Sequence, residues 1–366
     1  MRIAEVRTVC FTQPATPIHQ KRFSGPQEIV LTTVTSDSGE RGYSMARAHG
    51  GQAGRGIADA IVSTLKPRVI GQDALDRERI WGSLTALEPA GYVPVFAISA
   101  IDVAIWDLVA RSLALPLYKL LGGRSDRILA YASSANLERV EDYVADLLRS
   151  LERGYRAYKI HPFHDPARDI ALCRTLRREA GDEVRLMLDA AKTYERAAAL
   201  KVGRAIEELG FEWYEEPLPH HDIAGYAELC RALDIAVVGA ETVPGGVAAL
   251  PNYLHAGALD MVLCDVYWKG GVTGMLKAAT LCEAMGVGVA SHHAASPLMN
   301  FANLHVLCGT TAATMIEILV PEEGYNYALA TYHAPDREGM VRPPDGPGLG
   351  VEIDWDYVDA HTTLVL

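Results

Sequence analysis

The sequence lacks an excess of basic residues, a paired cysteine pattern and long hydrophobic runs. Its 34 lysines and arginines against 46 aspartates and glutamates give a formal net charge of −12, which disfavours nucleic acid and anionic membranes as partners. The six cysteines are scattered without a CxxC pair, as expected of buried thiols in a reducing compartment. No apolar run has the length of a membrane span, and the first residues show no secretory pattern. We therefore expect a soluble, cytoplasmic protein that acts on a small molecule.

The chain divides into parts with different residue patterns. Residues 1–125 begin with strand-like runs and continue in helical patterns, the last of which, within 97–123, is apolar nearly all round and should be buried between domains. Across 126–335, short β-rich runs alternate with amphipathic helices, which predicts eight strands in a closed parallel β/α barrel. The remaining residues, 336–366, are expected to pack back on the amino-terminal domain.

Polar side chains follow the predicted barrel strands at the point where each strand ends. In a barrel of this type, functional residues lie at the carboxyl ends of the strands. One carboxylate at such a position is explained equally well as a helix cap, but a series around the barrel indicates a site. The residues are Lys159 and His161, Asp189, Glu215, Glu241, Asp265, His292 and Glu317.

Three of these residues form a candidate metal site. Glu215 follows Asp189 by 26 residues, and Glu241 follows Glu215 by 26, which is about one β/α unit each. The carboxylates should therefore converge from adjacent strands at equal depth. Converging carboxylates repel one another, and a hard cation relieves that repulsion. Oxygen-only ligands favour Mg²⁺ over Zn²⁺.

The basic residues suit the removal of a proton next to a carboxylate. That reaction forms an ene-diolate, which positive charge stabilises, and Lys159 can supply the charge, with a pKa expected to fall near a divalent cation. Lys159 and His161 share a face because they are two apart on a strand. His292, paired with Asp265, is a candidate base on the opposite wall. We favour His292 as the base because the sequence offers His161 no comparable partner. His293 should point away from the site.

Several motifs together resemble the mandelate racemase subgroup of the enolase superfamily. The likeness spans nearly the whole chain and is carried by the helix SAIDVAIWDLVARSLALPLYKLLGG, the Lys-x-His strand end, Asp189, the WYEEPL run, the GAE of residues 239–241, the D-x-x-x-K-G-G-V-T-G run and the SHH of residues 291–293. The resemblance implies a smaller α+β capping domain, completed by the carboxyl-terminal tail, over a modified (β/α)7β barrel. It also implies a homo-oligomer, with an octamer as one expected form.

The same resemblance implies a role for each strand-end residue. Asp189, Glu215 and Glu241 would bind one Mg²⁺ per active site. Asp265 and His292 would form the general acid/base dyad, Lys159 and His161 the basic pair, and Glu317 would hydrogen-bond the substrate carboxylate.

Two departures from the family pattern bear on the substrate. Many relatives carry Lys-x-Lys, whereas this chain has His161 in the second position, so His161 is either a base or a substrate contact. Several acid sugar dehydratases carry a polar residue two positions after the third-strand aspartate, whereas this chain has Ala191 followed by Lys192. Lys192 is therefore a candidate substrate-binding residue.

We expect dehydration of an acid sugar, an aldonate or aldarate, to a 2-keto-3-deoxy acid. The polar and basic loop at 16–24, with His19 and Arg22 as candidate substrate contacts, suits a polyhydroxylated substrate. A His-Gly-Gly stretch at 49–51 is either a second flap or an ordinary turn. The alternatives are a racemase or epimerase of a 2-hydroxy or amino carboxylic acid, which needs the same bases, and a non-catalytic binder of sugar acids.

Overall fold

The amino-terminal part of the chain is an antiparallel sheet followed by helices. The computed structural model describes residues 1–18, 25–49, 53–89, 91–293, 296–310 and 312–366. The first strands, rich in β-branched residues that favour extended backbone, are β1 (Ile3–Gln13), β2 (Gln27–Ser36) and β3 (Arg41–His49). The helical segments are α1 (Ala53–Asp59), a π-helical stretch (Ala60–Leu65), α2 (Lys66–Val69), α3 (Arg77–Thr85), α4 (Val95–Ser112) and α5 (Leu117–Leu120). β2 pairs with both β1 and β3 and is therefore an inner strand.

Helix α4 connects the amino-terminal sheet to the rest of the protein. On one side, the hydroxyl of Ser44 on β3 donates to the carbonyl oxygen of Ala100 at 2.6 Å. On the other side, the indole N–H of Trp106 donates to the hydroxyl of Thr273 at 2.8 Å. All residues from 97 to 110 are buried. The expectation of a helix buried between two parts of the chain is therefore confirmed.

Eight parallel strands form the second part of the chain, with a helix between each consecutive pair. The strands are β4 (Ile128–Ser133), β5 (Ala157–Ile160), β6 (Arg185–Asp189), β7 (Trp213–Glu215), β8 (Ala236–Gly239), β9 (Met261–Cys264), β10 (Gly288–Ser291) and β11 (Met315–Leu319). The helices are α6 (Val140–Glu152), α7 (Pro166–Ala180), α8 (Arg196–Glu208), α9 (Ile223–Ala232), α10 (Gly246–His255), α11 (Gly271–Ala284) and α12 (Pro297–Gly309).

These strands close into a barrel. Strands β4 to β10 pair in sequence order, and β11 returns to pair with β4. Between β10 and β11, the backbone N–H of Val289 donates to Ala312 O, and Val289 O accepts from the N–H of Thr314, both at 2.9 Å. The predicted (β/α)7β barrel is therefore confirmed. Its interior is filled by a layer of mostly large side chains from all eight strands, namely Tyr131, Ala157, Met187, Trp213, Val238, Leu263, Ala290 and Met315.

The carboxyl-terminal tail returns to the amino-terminal sheet. After a 3₁₀ turn (Glu322–Gly324), β12 (Met340–Val341) pairs antiparallel with β4. Helix α13 (Trp355–His361) then leads into β13 (Thr362–Val365), which pairs antiparallel with β1. The tail thus completes the capping sheet, as the resemblance implies. Within the described ranges, no helix is long and apolar enough to cross a membrane.

Candidate active site

The carboxyl ends of the barrel strands bring the predicted ionisable residues together in one buried cluster. Asp189 ends β6 and Glu215 ends β7, and the two residues are paired across the parallel ladder. Glu241 follows the end of β8 by two residues, after Ala240 with φ of 66°. The three carboxylates therefore form a row across three successive strands, as their spacing predicts. Cationic side chains face this row, and His292 with Lys192 lowers the pKa of Glu241 to about 2 despite its burial.

Lys159 lies between the row and Glu317. Its Nζ is 2.7 Å from Glu215 Oε1, 2.8 Å from Glu317 Oε1 and 3.8 Å from Asp189 Oδ2. Burial disfavours the ammonium, but these carboxylates outweigh burial and raise the pKa of Lys159 well above its ordinary value. The sequence predicts that the pKa of Lys159 falls when a divalent cation occupies the site, and this stays a prediction. The surrounding carboxylates therefore favour the ammonium form of Lys159.

His161 stands at one end of the carboxylate row. Its Nε2 is 2.9 Å from Asp189 Oδ2, and its Nδ1 is 2.7 Å from the carbonyl oxygen of Ser134. A carbonyl oxygen only accepts, so Nδ1 carries a proton and Nε2 is the nitrogen directed at the site. The backbone of His161 is held as well, because its N–H donates to Ser134 Oγ at 3.0 Å and its carbonyl accepts from Tyr143.

His292 stands at the other end of the row. Its Nδ1 is hydrogen-bonded to Asp265 Oδ2, and its Nε2 is 3.5 Å from Glu241 Oε2. Burial lowers the pKa of His292, but Glu241 and Asp265 outweigh burial and raise it to about 9. The other oxygen of Asp265 accepts from the backbone N–H of Trp268. The predicted His–Asp dyad is therefore assembled, with the imidazolium form favoured.

Lys192 enters the cluster from the loop after β6. Two consecutive residues in the left-handed region, Ala191 with φ of 47° and Lys192 with φ of 68°, turn this loop so that Lys192 Nζ contacts Glu216 and lies 3.0 Å from Glu241 Oε1. Burial, with the charge of Glu241 adding to it, raises the pKa of Glu216 to about 8, although Lys192 opposes the shift. Two carboxylates thus hold the ammonium group of Lys192, which remains a proposed substrate contact.

The row of carboxylates has the donor chemistry of a site for a hard divalent cation. Burial raises the pKa of Glu215 well above its ordinary value, and although Lys159 opposes this, the charges of Asp189 and Glu241 add to the rise. In the described part of the chain, no three acidic, histidine or cysteine side chains already form a metal cage. Instead, the ammonium groups of Lys159 and Lys192 lie among the carboxylates. A row of carboxylate oxygens whose charges are balanced here by the ammonium groups of Lys159 and Lys192 has the ligand type that Mg²⁺ prefers.

His293 is expected to point away from the site, and His19 and Arg22 are expected to contact the substrate. His293 lies beside the site: its backbone N–H donates to Glu317, while its ring stands against Tyr325 with centroids 6.2 Å apart. Burial lowers the pKa of His293 to about 3. The candidate contacts His19 and Arg22, and the second flap proposed at 49–51, lie outside the described residues apart from the backbone of His49.

Several side chains that support the site are not signalled by the sequence. Trp213 Nε1 donates to Glu215 Oε2 at 3.0 Å from inside the barrel. Asn303 donates to the carbonyl of His292 at 3.0 Å and accepts from the backbone N–H of Val266 at 2.8 Å. Trp213 belongs to the WYEEPL run, but no spacing rule signals such contacts. They become visible only when the helices and strands are placed.

The fold and the site define a capped (β/α)7β barrel with a carboxylate row between two histidines at its carboxyl-terminal face. The family description "Enolase C-terminal domain-like" matches residues 142–357, and "Mandelate racemase / muconate lactonizing enzyme, N-terminal domain" matches residues 3–122. The chain belongs to the mandelate racemase/muconate lactonizing enzyme family of the enolase superfamily, as its motifs indicate, and is an enzyme of that superfamily.

Relatives and solved structures cover almost the entire chain. Arabinonate dehydratase of Saccharolobus solfataricus is 27% identical over 90% of this chain and 89% of its own length. The 3,6-anhydro-alpha-L-galactonate cycloisomerase of Streptomyces coelicolor is 30% identical over 90% of both chains. D-glucarate dehydratase from Agrobacterium tumefaciens, solved in complex with magnesium, superposes with a TM-score of 0.90 at 31% identity over 100% of both chains.

Proposed function

We propose that this enzyme uses Mg²⁺ to remove the proton next to a substrate carboxylate and dehydrates an aldonate or aldarate to a 2-keto-3-deoxy acid. The observation that carries the proposal is the placement of two histidines at opposite ends of the carboxylate row. His161 Nε2 lies 2.9 Å from Asp189, and His292 Nε2 lies 3.5 Å from Glu241. A substrate bound at the row is therefore flanked by two proton-transfer groups.

The positive charge required by the reaction comes from several sources. Mg²⁺ on Asp189, Glu215 and Glu241 would supply charge that stabilises the two developing oxyanions of an ene-diolate. Lys159, buried between Glu215 and Glu317, adds a fixed ammonium next to the same position. Glu317 accepts from Lys159 and from the backbone of His293, and Lys159 lowers its pKa to about 2 despite burial. We propose that Glu317 takes up a proton from solvent when substrate binds and donates it to the substrate carboxylate.

Dehydration needs a base and an acid in different protonation states. His161 is held with Nδ1 as donor to Ser134 and with Nε2 2.9 Å from Asp189, and we propose that this Nε2 takes the α-proton once Asp189 binds Mg²⁺. His292 is held in its protonated form by Asp265 and Glu241 and can give a proton to the departing β-hydroxyl. The electrons of the α C–H bond then form the enol as the β C–O bond breaks, water leaves, and the enol tautomerises to the 2-keto acid.

The relatives support this reaction without fixing the substrate. Arabinonate dehydratase, L-talarate/galactarate dehydratase and D-gluconate dehydratase are among them, at 27%, 30% and 32% identity. Each of these names gives an acid sugar as the substrate and dehydration as the reaction. Lys192, partly exposed at the edge of the row, is the residue that we propose contacts a substrate hydroxyl or distal carboxylate.

Racemisation or epimerisation is the second candidate, and a specific observation favours it. Both histidines are oriented at Nδ1, His161 by Ser134 and His292 by Asp265, which is the arrangement that a two-base exchange on opposite faces requires. The two reactions differ in whether the substrate loses a β-hydroxyl.

A library of mono- and diacid sugars incubated with the enzyme and Mg²⁺ distinguishes the candidates. Formation of a 2-keto product, detected as its semicarbazone, supports dehydration. Recovery of the substrate with inverted configuration and no keto product supports the isomerase. Absence of both, together with substrate binding, supports the non-catalytic alternative.

A further inference from the structure

Lys269 is a buried cation bound to the backbone beside the proposed metal site. Its side chain is 1% exposed, and its Nζ donates to the carbonyl oxygens of Ala240 and Glu241, both at 2.7 Å. Nowhere in the described ranges does a carboxylate form an ion pair with this ammonium. Burying an unpaired charge is costly unless its hydrogen bonds are satisfied, so the two carbonyls are the partners that hold the cation in place.

The bonded carbonyls belong to the turn that directs Glu241 into the carboxylate row. Ala240 has φ of 66°, a conformation that a residue with a Cβ adopts only when its surroundings impose it. One ammonium thus fixes the peptide planes on both sides of Glu241. The N–H of Glu241 is fixed from the other direction, because it donates to Glu216 Oε1 at 3.3 Å. The backbone of Glu241 is thus held by two side chains from neighbouring loops.

Lys269 itself is anchored independently of Glu241. It precedes a glycine turn that leads into α11, where a Cβ at Gly271 would collide with the carboxylate of Asp102, and a Cβ at Gly274 would collide with the carbonyl of Lys269. Thr273 N–H donates to Asp102 Oδ2 at 2.9 Å. The D-x-x-x-K-G-G-V-T-G run is therefore held against Asp102 of helix α4. From that position the side chain of Lys269 reaches the backbone carbonyl of Glu241.

We propose that Lys269 is a positioning residue that aims the carboxylate of Glu241 at the Mg²⁺ and joins its loop to the loop of Asp265. The inference rests on the proposed role of Glu241 as a metal ligand. It goes beyond that role because it assigns a function to a side chain that touches neither the metal nor the substrate. Groups that orient metal ligands typically contribute about 10- to 100-fold to metal affinity.

Titration of the full-length protein with Mg²⁺ in a calorimeter, without substrate, tests the proposal. Lys269→Met should weaken Mg²⁺ binding by about 10- to 100-fold. Its thermal midpoint without metal should fall, because two buried carbonyl oxygens lose their donor, and a control of lowered stability is therefore needed beside it. Lys269→Gln, which removes the charge and keeps a polar end, should weaken binding in the same direction.

Thr273→Val is the matched control. It removes a hydroxyl bonded to Asp102 and Trp106 in the same turn and leaves the bonds of Lys269 intact. It should lower the thermal midpoint and leave Mg²⁺ affinity unchanged.

The outcomes separate this inference from the proposed function. If the wild type binds no Mg²⁺, the proposed metal site is wrong and the inference falls with it. If the wild type binds Mg²⁺ and both folded Lys269 variants bind it equally well, only the inference is overturned. A loss of affinity that follows the thermal midpoint across all variants, Thr273→Val included, also overturns it, because Lys269 would then only stabilise the fold.

Discussion

The imidazole of His161 donates from Nδ1 to the carbonyl oxygen of Ser134 over 2.7 Å. This bond gives His161 the kind of orienting partner that Asp265 gives to His292. His292 is favoured as the base from the sequence because Asp265 can both hold its ring and tune its basicity. The carbonyl of Ser134 gives His161 the first of these two functions, whereas only a carboxylate such as Asp265 supplies the second. Glu241 and Asp265 also raise the pKa of His292 to about 9, and from these observations we propose His161 as the base and His292 as the acid.

Replacing each histidine by asparagine separates these roles. We predict that His161→Asn loses both dehydration and exchange of the α-proton with solvent, because the abstracting nitrogen is gone. His292→Asn should keep measurable α-exchange and lose the elimination of water. Mass spectrometry of the substrate and product in D₂O measures both. The reverse pattern would restore His292 as the base, and equal loss of exchange with inversion by the wild type would indicate a two-base isomerase.

Glu215→Gln should weaken Mg²⁺ binding and abolish turnover while the fold remains intact. Burial and the neighbouring carboxylates raise the pKa of Glu215, so a neutral amide removes a repulsive charge. Its NH₂ group must face Lys159 or Trp213, both donors, so the metal-free thermal midpoint should fall modestly while the protein stays folded. Calorimetry with Mg²⁺ measures the binding. Glu212→Gln, three residues earlier and paired with Arg185 at 3.7 Å, is the control and should bind as the wild type does. Equal Mg²⁺ affinity in Glu215→Gln would refute the ligand assignment.

Lys159→Met should lower kcat by at least about 10²- to 10³-fold, the scale of removing one oxyanion-stabilising group. The change removes a charge between Glu215 and Glu317, so the two carboxylates are left to repel each other and the protein should be less stable at neutral pH than at mildly acidic pH. Steady-state kinetics and thermal unfolding measure the two effects. Lys201→Met, at an exposed position on α8, is the control, and near-native kcat in Lys159→Met would place this lysine outside the reaction.

Asp102 should make the protein less stable as the pH rises. Burial raises its pKa from 3.8 to about 7, against opposing hydrogen bonds from Thr273. Between these values the folded state holds a proton that the unfolded state has released, so the free energy of unfolding falls with rising pH, by at most roughly 1.4 kcal/mol per unit. An amide does not titrate, and the Asp102→Asn variant should therefore gain stability relative to the wild type as the pH rises through this interval. A difference that is constant, or that changes in the opposite direction, contradicts this account.

The strand-end residues could be predicted because a (β/α) unit has a regular length. That regularity places Asp189, Glu215 and Glu241 side by side, and a two-residue repeat puts Lys159 and His161 on one face. The partner of His161 could not be predicted, because it is the backbone carbonyl of Ser134 and any residue carries one.

Contacts between distant loops could not be predicted from the sequence either. Lys269 donates to the carbonyl oxygens of Glu241 and Ala240, which lie 28 and 29 residues earlier in the chain. These groups meet because the closed barrel brings their two loops together. Lys192 was predicted to meet substrate from its position after Asp189. Its contacts with Glu216 and Glu241 depend on a left-handed backbone at residues 191 and 192. Neither position carries the glycine or asparagine that would indicate such a backbone in the sequence.

Exchange of the substrate α-proton with solvent deuterium is the most direct test of the central claim. A panel of aldonates and aldarates would be incubated with the enzyme in D₂O, with Mg²⁺ or with excess EDTA, and followed by NMR and mass spectrometry. The account predicts deuterium in a substrate or a 2-keto-3-deoxy product with Mg²⁺ and none with EDTA. Exchange that is undiminished in EDTA, or a panel with no exchange by an enzyme that binds Mg²⁺ and these acids, would contradict it.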